Sequence, residues 1–167
     1  MPISHPIRWA RDLLSVCRSD AALPGAVSQN EEIIHATTIA CAGRGALITG
    51  ASGSGKSGLA LQMLALGADL IADDRTRLWQ AGEALMADVP EAISGQIEAR
   101  GLGILAAPAQ GPMPIALVID MDRVETERLP PKRRRRIMDV DLPLIRKVEN
   151  PCFPAAILLY LKGGRIA

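Results

Sequence analysis

The residues with the clearest chemistry are Gly50-Ala51-Ser52-Gly53-Ser54-Gly55-Lys56-Ser57, which fit the spacing G-x-x-x-x-G-K-[ST]. Three glycines let the backbone turn its N–H groups inward and form a nest for phosphate oxygens. The helix predicted from Leu59-Ala60-Leu61-Gln62-Met63-Leu64 adds its positive end at the same place. Lys56 can reach β- and γ-phosphates, and the Ser57 hydroxyl can ligate Mg²⁺. The preceding Ala46-Leu47-Ile48-Thr49 reads as a short buried strand, so the motif lies between strand and helix as its mechanics require. The stretch reads as a nucleotide-phosphate site.

Several other groups are candidates for the same chemistry. Asp69-Leu70-Ile71-Ala72-Asp73-Asp74-Arg75 is an apolar strand ending in two carboxylates, one able to hold a metal through water while its neighbour faces a nucleophile; it also reads as a polar turn. Residues 114–122 form a second apolar strand ending in acids, and in an ordinary phosphate-loop kinase Asp120 would be the metal-linked aspartate. Periodicity does not choose between them. Glu98 and Arg100, two apart before Gly101 and Gly103, can serve metal and phosphate respectively or form a structural ion pair. His35, on a predicted strand, reads as structural when taken alone. Residues 132–136, Lys-Arg-Arg-Arg-Arg, read as a solvated loop or a docking surface for an acidic or phosphorylated partner.

The elements that must position these groups follow from pattern. Residues 32–41 are β-branched and apolar, and Ala42-Gly43-Arg44-Gly45 turns them back into the phosphate-loop strand as a hairpin. Gly67 caps the helix, residues 76–80 and 84–89 form a second hairpin around Gly82, and residues 90–96 hold a helical turn. Residues 137–144 read as an edge strand interrupted by Pro143, and residues 155–161 as a final helix stopped by Gly163-Gly164. Upstream, residues 6–17 read as a short amphipathic helix and residues 19–28 as a linker.

Composition narrows the class. A length of 167 residues suits one domain, and a net charge of +1 gives no global pull towards nucleic acid or an anionic membrane. One Tyr, one Phe and two Trp are poor material for base stacking. Cys17, Cys41 and Cys152 are widely spaced without a CxxC pair, which argues against a disulfide framework or zinc site and for a reducing cytoplasm. The longest apolar run, residues 154–161, is too short to cross a bilayer.

Taken together, His35, Leu47-Ile48-Thr49-Gly50-Ala51-Ser52-Gly53-Ser54-Gly55-Lys56-Ser57, Leu70-Ile71-Ala72-Asp73-Asp74-Arg75 and Glu98-Ala99-Arg100-Gly101-Leu102-Gly103-Ile104 resemble the catalytic domain of HPr kinase/phosphorylase. That family phosphorylates and dephosphorylates a serine of HPr, the phosphocarrier of the sugar phosphotransferase system. The resemblance runs from about residue 35 to residue 144. It implies an α/β fold: a P-loop, phosphoenolpyruvate-carboxykinase-like mixed sheet with flanking helices, as a single catalytic domain over residues 31–167 after an N-terminal extension over residues 1–30. It implies ATP and Mg²⁺ as cofactors, HPr as partner, a hexamer, no nucleic acid and no membrane. Asp74 would take the serine proton, with His35, Lys56 and Arg128 as its catalytic companions. Gly50 to Ser57 would bind the nucleotide, and Ser57 and Glu98 would hold the metal. In the reverse direction phosphate would attack phosphoserine and yield pyrophosphate, with Asp74 protonated through its neighbour Asp73, burial and His35. The chain resembles the compact form found in alphaproteobacteria, without room for the separate N-terminal domain of longer relatives. Val148-Glu149-Asn150-Pro151-Cys152-Phe153 stands where the family has a basic, glycine-containing segment linked with dephosphorylation, so kinase activity is the first expectation. Two other readings stay open: a nucleotide-sensing module without turnover, and a small-metabolite kinase using Asp120.

Overall fold

The computed structural model describes residues 30–166, so the helix and linker read in residues 6–28, with Cys17, lie outside the described residues. Four strands and the first helix come first: β1 (Glu31–Ile34), β2 (Ala36–Cys41), β3 (Arg44–Thr49), α1 (Lys56–Ala65) and β4 (Asp69–Ala72). A hairpin follows, β5 (Thr76–Ala81) and β6 (Ala84–Asp88), then a 3-10 turn at Glu91–Ile93 and a small hairpin, β7 (Gln96–Ala99) and β8 (Gly103–Ala106). The chain ends with β9 (Met113–Val124), β10 (Arg133–Ile137), β11 (Val140–Lys147) and α2 (Phe153–Gly163).

The main sheet runs β1-β5-β6-β9-β3-β2-β4. Strand β9 is its branch point: its start pairs with β6 at Met113 and Pro114, while its later residues pair in parallel with β3 on one edge and β11 on the other. The sheet therefore curls, and its central strands are buried on both faces, which explains their continuous apolar runs. Ala46, Ile48, Leu117 and Ile119 pack against Leu59, Met63, Ile157 and Leu161 of the two helices. The alternate residues Leu47 and Val118 face the opposite core with Leu78, Leu85 and Leu142.

Three sequence expectations change. Residues 32–41 are not one strand: they break at His35, because β1 pairs with β5 whereas β2 pairs with β3 and β4. The basic run is not a loop but β10, the outer strand of a hairpin. Residues 137–144 are not a single edge strand, because Met138 and Asp139, both with positive φ, turn β10 into β11, which then lies inside the sheet. The arginines of β10 are spent on local partners: Arg133 on Glu125, Arg134 on the Asp141 carbonyl, Arg135 on the Thr49 hydroxyl and Arg136 on Asp139. The remaining elements match: the β2–β3 and β5–β6 hairpins, helix α1 closed by Gly67 with φ +91, and the final helix ended at Gly164.

Two measurements test this packing. A Cβ on Gly45 would lie 2.8 Å from Ile115 Cδ1 and 3.2 Å from the Pro114 carbonyl oxygen, where β3 and β9 approach each other, whereas one on Gly58 meets nothing within 4 Å. In chemical denaturation, Gly45→Ala should destabilise by about 1–3 kcal/mol and Gly58→Ala should stabilise by about 0.4–1 kcal/mol. Burial tends to raise the Glu125 carboxyl, but the Glu127 amide, the Arg133 guanidinium and the Thr126 amide outweigh it and hold the pKa below its ordinary 4.5. A carboxyl lowered in the fold stabilises above its unfolded pKa, and that contribution is lost as pH falls through the folded value. Glu125→Gln should therefore melt below wild type at pH 7, with the gap closing as the pH drops below about 4.5.

Candidate functional site

The loop after β3 is built for a concave backbone. Gly50, Gly53 and Gly55 have φ of +150, +80 and +99. At Gly50 a Cβ would fall 2.7 Å from Ser54 Oγ and 3.0 Å from Met121 Cβ, so both conformation and space demand glycine there. Gly55 precedes α1 in the left-handed region, and no side chain caps the helix, which leaves its first amides and positive end towards the loop. The Ala51 amide donates to Asp122 Oδ1 at 2.8 Å, pinning the start of the loop to the end of β9.

Lys56, only 6% exposed, points back into this turn. Its ammonium donates to the Gly50 and Ala51 carbonyls at 2.9 and 3.0 Å and meets His35 Nε2 at 3.0 Å. An ammonium has donors only, so Nε2 accepts and the neutral ring carries its proton on Nδ1. That Nδ1 lies 2.7 Å from Asp74 Oδ1 and 3.1 Å from the Asp74 carbonyl oxygen. The break between β1 and β2 is what brings His35 here, because the chain changes partner strands at that residue.

The two acids after β4 part company. Asp73, 8% exposed, turns inward: Oδ1 accepts from the Thr37 and Ser57 hydroxyls, each at 2.8 Å, and Oδ2 accepts from the Glu98 amide at 3.0 Å. Asp74 turns outward towards His35 with its side chain 67% exposed, so it does not have the buried setting anticipated for it. The Arg75 amide donates to the Asp73 carbonyl at 2.8 Å across Asp74, whose φ is +66. This is the rare, strained form of the three-residue turn, with a cost of about 1–3 kcal/mol. Strain of this kind at an exposed acid beside the glycine loop is a reason to look for function there.

A cleft of about 280 Å³ gathers His35, Ser52, Gly53, Gly55, Lys56, Ser57, Asp74, Glu98 and Arg100. Of the expected site residues, Gly50, Ala51 and Ser54 are not in its lining, and neither is Arg128, which is exposed in the segment between β9 and β10. Asp120 is also absent from the lining, its carboxylate accepting from the Asp122 amide at 3.0 Å and lying 3.9 Å from Arg123. Asp73 holds the position beside the loop serine that an ordinary phosphate-loop reading would give to Asp120. Sequence reasoning missed Thr37 and Asp122 as supports of the site. For Asp122 the signal was the Asp-x-Asp ending of residues 120–122; for Thr37 there was none, since its role comes from strand pairing.

The donor set fits magnesium. Ser57 Oγ and the Glu98 carboxylate are oxygen donors on one cleft, and the Ser57 proton is spent on Asp73. Among the described residues no cluster of three or more His, Cys, Asp or Glu could cage a metal. Mg²⁺ commonly binds through one or two protein oxygens, completing its shell with phosphates and water.

Fold and cleft together define a mixed α/β domain in which a glycine-rich loop closes on an ammonium, an imidazole and an acid. Residues 27–148 match the HPr Serine kinase C-terminal domain, and the chain belongs to that family. It is 34% identical over 139 residues to the HPr kinase/phosphorylase of Geobacillus thermodenitrificans, covering 75% of this chain and 45% of that protein. With the HPr kinase/phosphorylase of Xanthomonas campestris pv. campestris it is 34% identical over 130 residues, 68% of this chain and 41% of that one. The chain thus spans less than half the length of these relatives. A solved structure, the Hpr(Ser) kinase/phosphatase from Coxiella burnetii, superposes with a TM-score of 0.68 at 25% identity, covering 81% of this chain and 97% of that one. No helix among the described residues is long and apolar enough to cross a membrane.

Asp73→Ala removes both oxygens, leaving the Thr37 and Ser57 hydroxyls and the Glu98 amide without their acceptor. The variant should lose about 1–3 kcal/mol, and hydrogen exchange at the Glu98 amide should accelerate while that at the core strand β3 falls only with global stability.

Proposed function

We propose that this chain is a P-loop kinase of the phosphoenolpyruvate-carboxykinase-like type that transfers the γ-phosphoryl group of ATP to a serine of HPr. The observation that carries the proposal is the meeting, in one cleft, of the glycine-rich loop with Lys56, His35 and Asp74. The loop amides, Gly50 to Ser57, cradle the triphosphate, and Lys56 balances its charge. Ser57 and Glu98 would hold Mg²⁺, which would supply positive charge to offset that of the phosphates. Asp73, through its grip on the Ser57 hydroxyl, fixes which side of that oxygen faces the cleft.

In the forward direction the serine Oγ attacks the γ-phosphorus, the bond to the β–γ bridging oxygen breaks, and ADP leaves. The serine proton passes to Asp74, whose exposed carboxylate is open to an incoming protein hydroxyl. An ordinary carboxylate, with a pKa of about 3.9, is a weak base. It suffices where the transition state is loose and the proton leaves late. His35 Nδ1–H keeps Asp74 oriented. In reverse, the family resemblance supports phosphorolysis: inorganic phosphate attacks phosphoserine, Asp74 returns a proton to the serine oxygen, and pyrophosphate is released. Residues 31–167 act as the catalytic domain, working as a hexamer in the cytoplasm alongside HPr. The position of Asp120 outside the cleft disfavours a small-metabolite kinase.

Its place in the lining of the cleft supports Arg100 as the arginine that offsets charge on the transferring phosphoryl group; Arg128 is the candidate from family resemblance.

A transfer assay with labelled ATP, Mg²⁺ and HPr tests this reading. Asp74→Asn should lower the rate at least a hundredfold with ATP binding retained; unchanged transfer removes the base assignment, and absence of transfer in the wild type with tight ATP binding favours the sensing module. Arg100→Ala should lower kcat by about 10²–10³, and a loss confined to Arg128→Ala would return that role to Arg128.

A further inference from the structure

The ammonium of Lys56 has three protons, and all three are committed: to the Gly50 carbonyl, the Ala51 carbonyl and His35 Nε2. For Lys56 to touch a phosphate, as the reading above requires and on which this step rests, one of these bonds must be given up or shared. The three acceptors are not equivalent. A carbonyl oxygen deprived of its donor inside the loop remains an unpaired acceptor. An imidazole nitrogen deprived of its donor can acquire a proton of its own and become a donor.

We infer that His35 is the exchangeable partner of Lys56: a phosphate oxygen replaces Nε2 on the ammonium, and the released Nε2 takes a proton from solvent and presents it to the bound phosphate. Both ring nitrogens then donate, Nδ1–H to Asp74 and Nε2–H to the phosphate. The cleft gains one positive charge as it is loaded, and the phosphate becomes linked through a single ring to the acid that handles the serine proton. The charged groups around His35 fit this exchange. Lys56 of α1 and Asp74 of the β4–β5 turn contact the ring, and Glu98 and Arg100 of the β7–β8 hairpin line the same cleft. While the ammonium sits 3.0 Å from Nε2, there is no space between them for a second proton. His35 is thereby a positioning residue for Asp74 and Lys56 in the empty site and a phosphate ligand in the loaded one.

The chain has two histidines, His5 and His35, so the imidazole signals of ¹⁵N-labelled His5→Gln protein belong to His35. Long-range ¹H–¹⁵N spectra at pH 7.5 should show Nδ1 protonated and Nε2 bare in the free protein. Saturating tripolyphosphate, which carries no base, should convert Nε2 to the protonated form. A bare Nε2 while the Gly53 and Gly55 amides shift overturns the exchange and leaves the phosphate site standing. Absence of any loop-amide shift overturns both. As an independent readout, the ratio of tripolyphosphate Kd values for His35→Gln and wild type should fall as pH rises from 6 to 9, by up to tenfold per unit. The ligand's own ionisation cancels in that ratio, and a ratio constant with pH overturns the inference.

Discussion

A nearly buried ammonium held by three acceptors is the constraint on which this structure turns. Burying a cation is costly unless its protons are satisfied, and here two of the acceptors come from the glycine loop itself while the third comes from a different strand pair. Lys56 therefore ties the loop's curvature to the position of His35. His35 in turn ties that loop to Asp74 at the far end of β4. Three segments distant in sequence are brought into one arrangement through this chain of contacts.

A second clasp runs parallel to the first. Asp73 joins Thr37 of β2, Ser57 of α1 and the Glu98 amide of β7 through one carboxylate. Its three donors require it to be an acceptor on both oxygens, which a carboxylate alone among isosteric side chains can supply. The small β7–β8 hairpin has no strand partner in the main sheet, so this contact and packing against α1 set where Glu98 and Arg100 stand. The neighbouring acids thus differ in setting: Asp73 is buried among the segments it joins, and Asp74 stays exposed beside His35.

The curled sheet supplies the rigidity that such a site needs. Strands β3, β9 and β11 run parallel, with β9 shared among three neighbours, so the loop leaves from the most buried part of the molecule. Asp122 and Arg135, from β9 and β10, reach the start of the loop and the residue before it. The basic run is a strand rather than a loop; its arginines 134–136 are exposed, and Arg135 alone of these reaches the loop end, through Thr49.

Local chemistry was legible along the chain. The glycine loop, its lysine and serine, the helix that follows, the hairpins and the acids at the end of β4 all announce themselves through spacing and turn residues, because each depends on near neighbours. Family resemblance singled out His35 and Glu98, and both line the cleft. Tertiary structure alone decided the rest. The break at His35 arises because β1 and β2 choose different partner strands, and no local pattern records a partner. Asp73 faces inward and Asp74 outward because the chain makes a three-residue turn centred on Asp74. Arg100 stands in the cleft and Arg128 outside it because hairpin and loop positions are set by contacts between segments far apart in the chain. Hydrogen bonds of that range have no periodicity to read; they exist only once the sheet has closed.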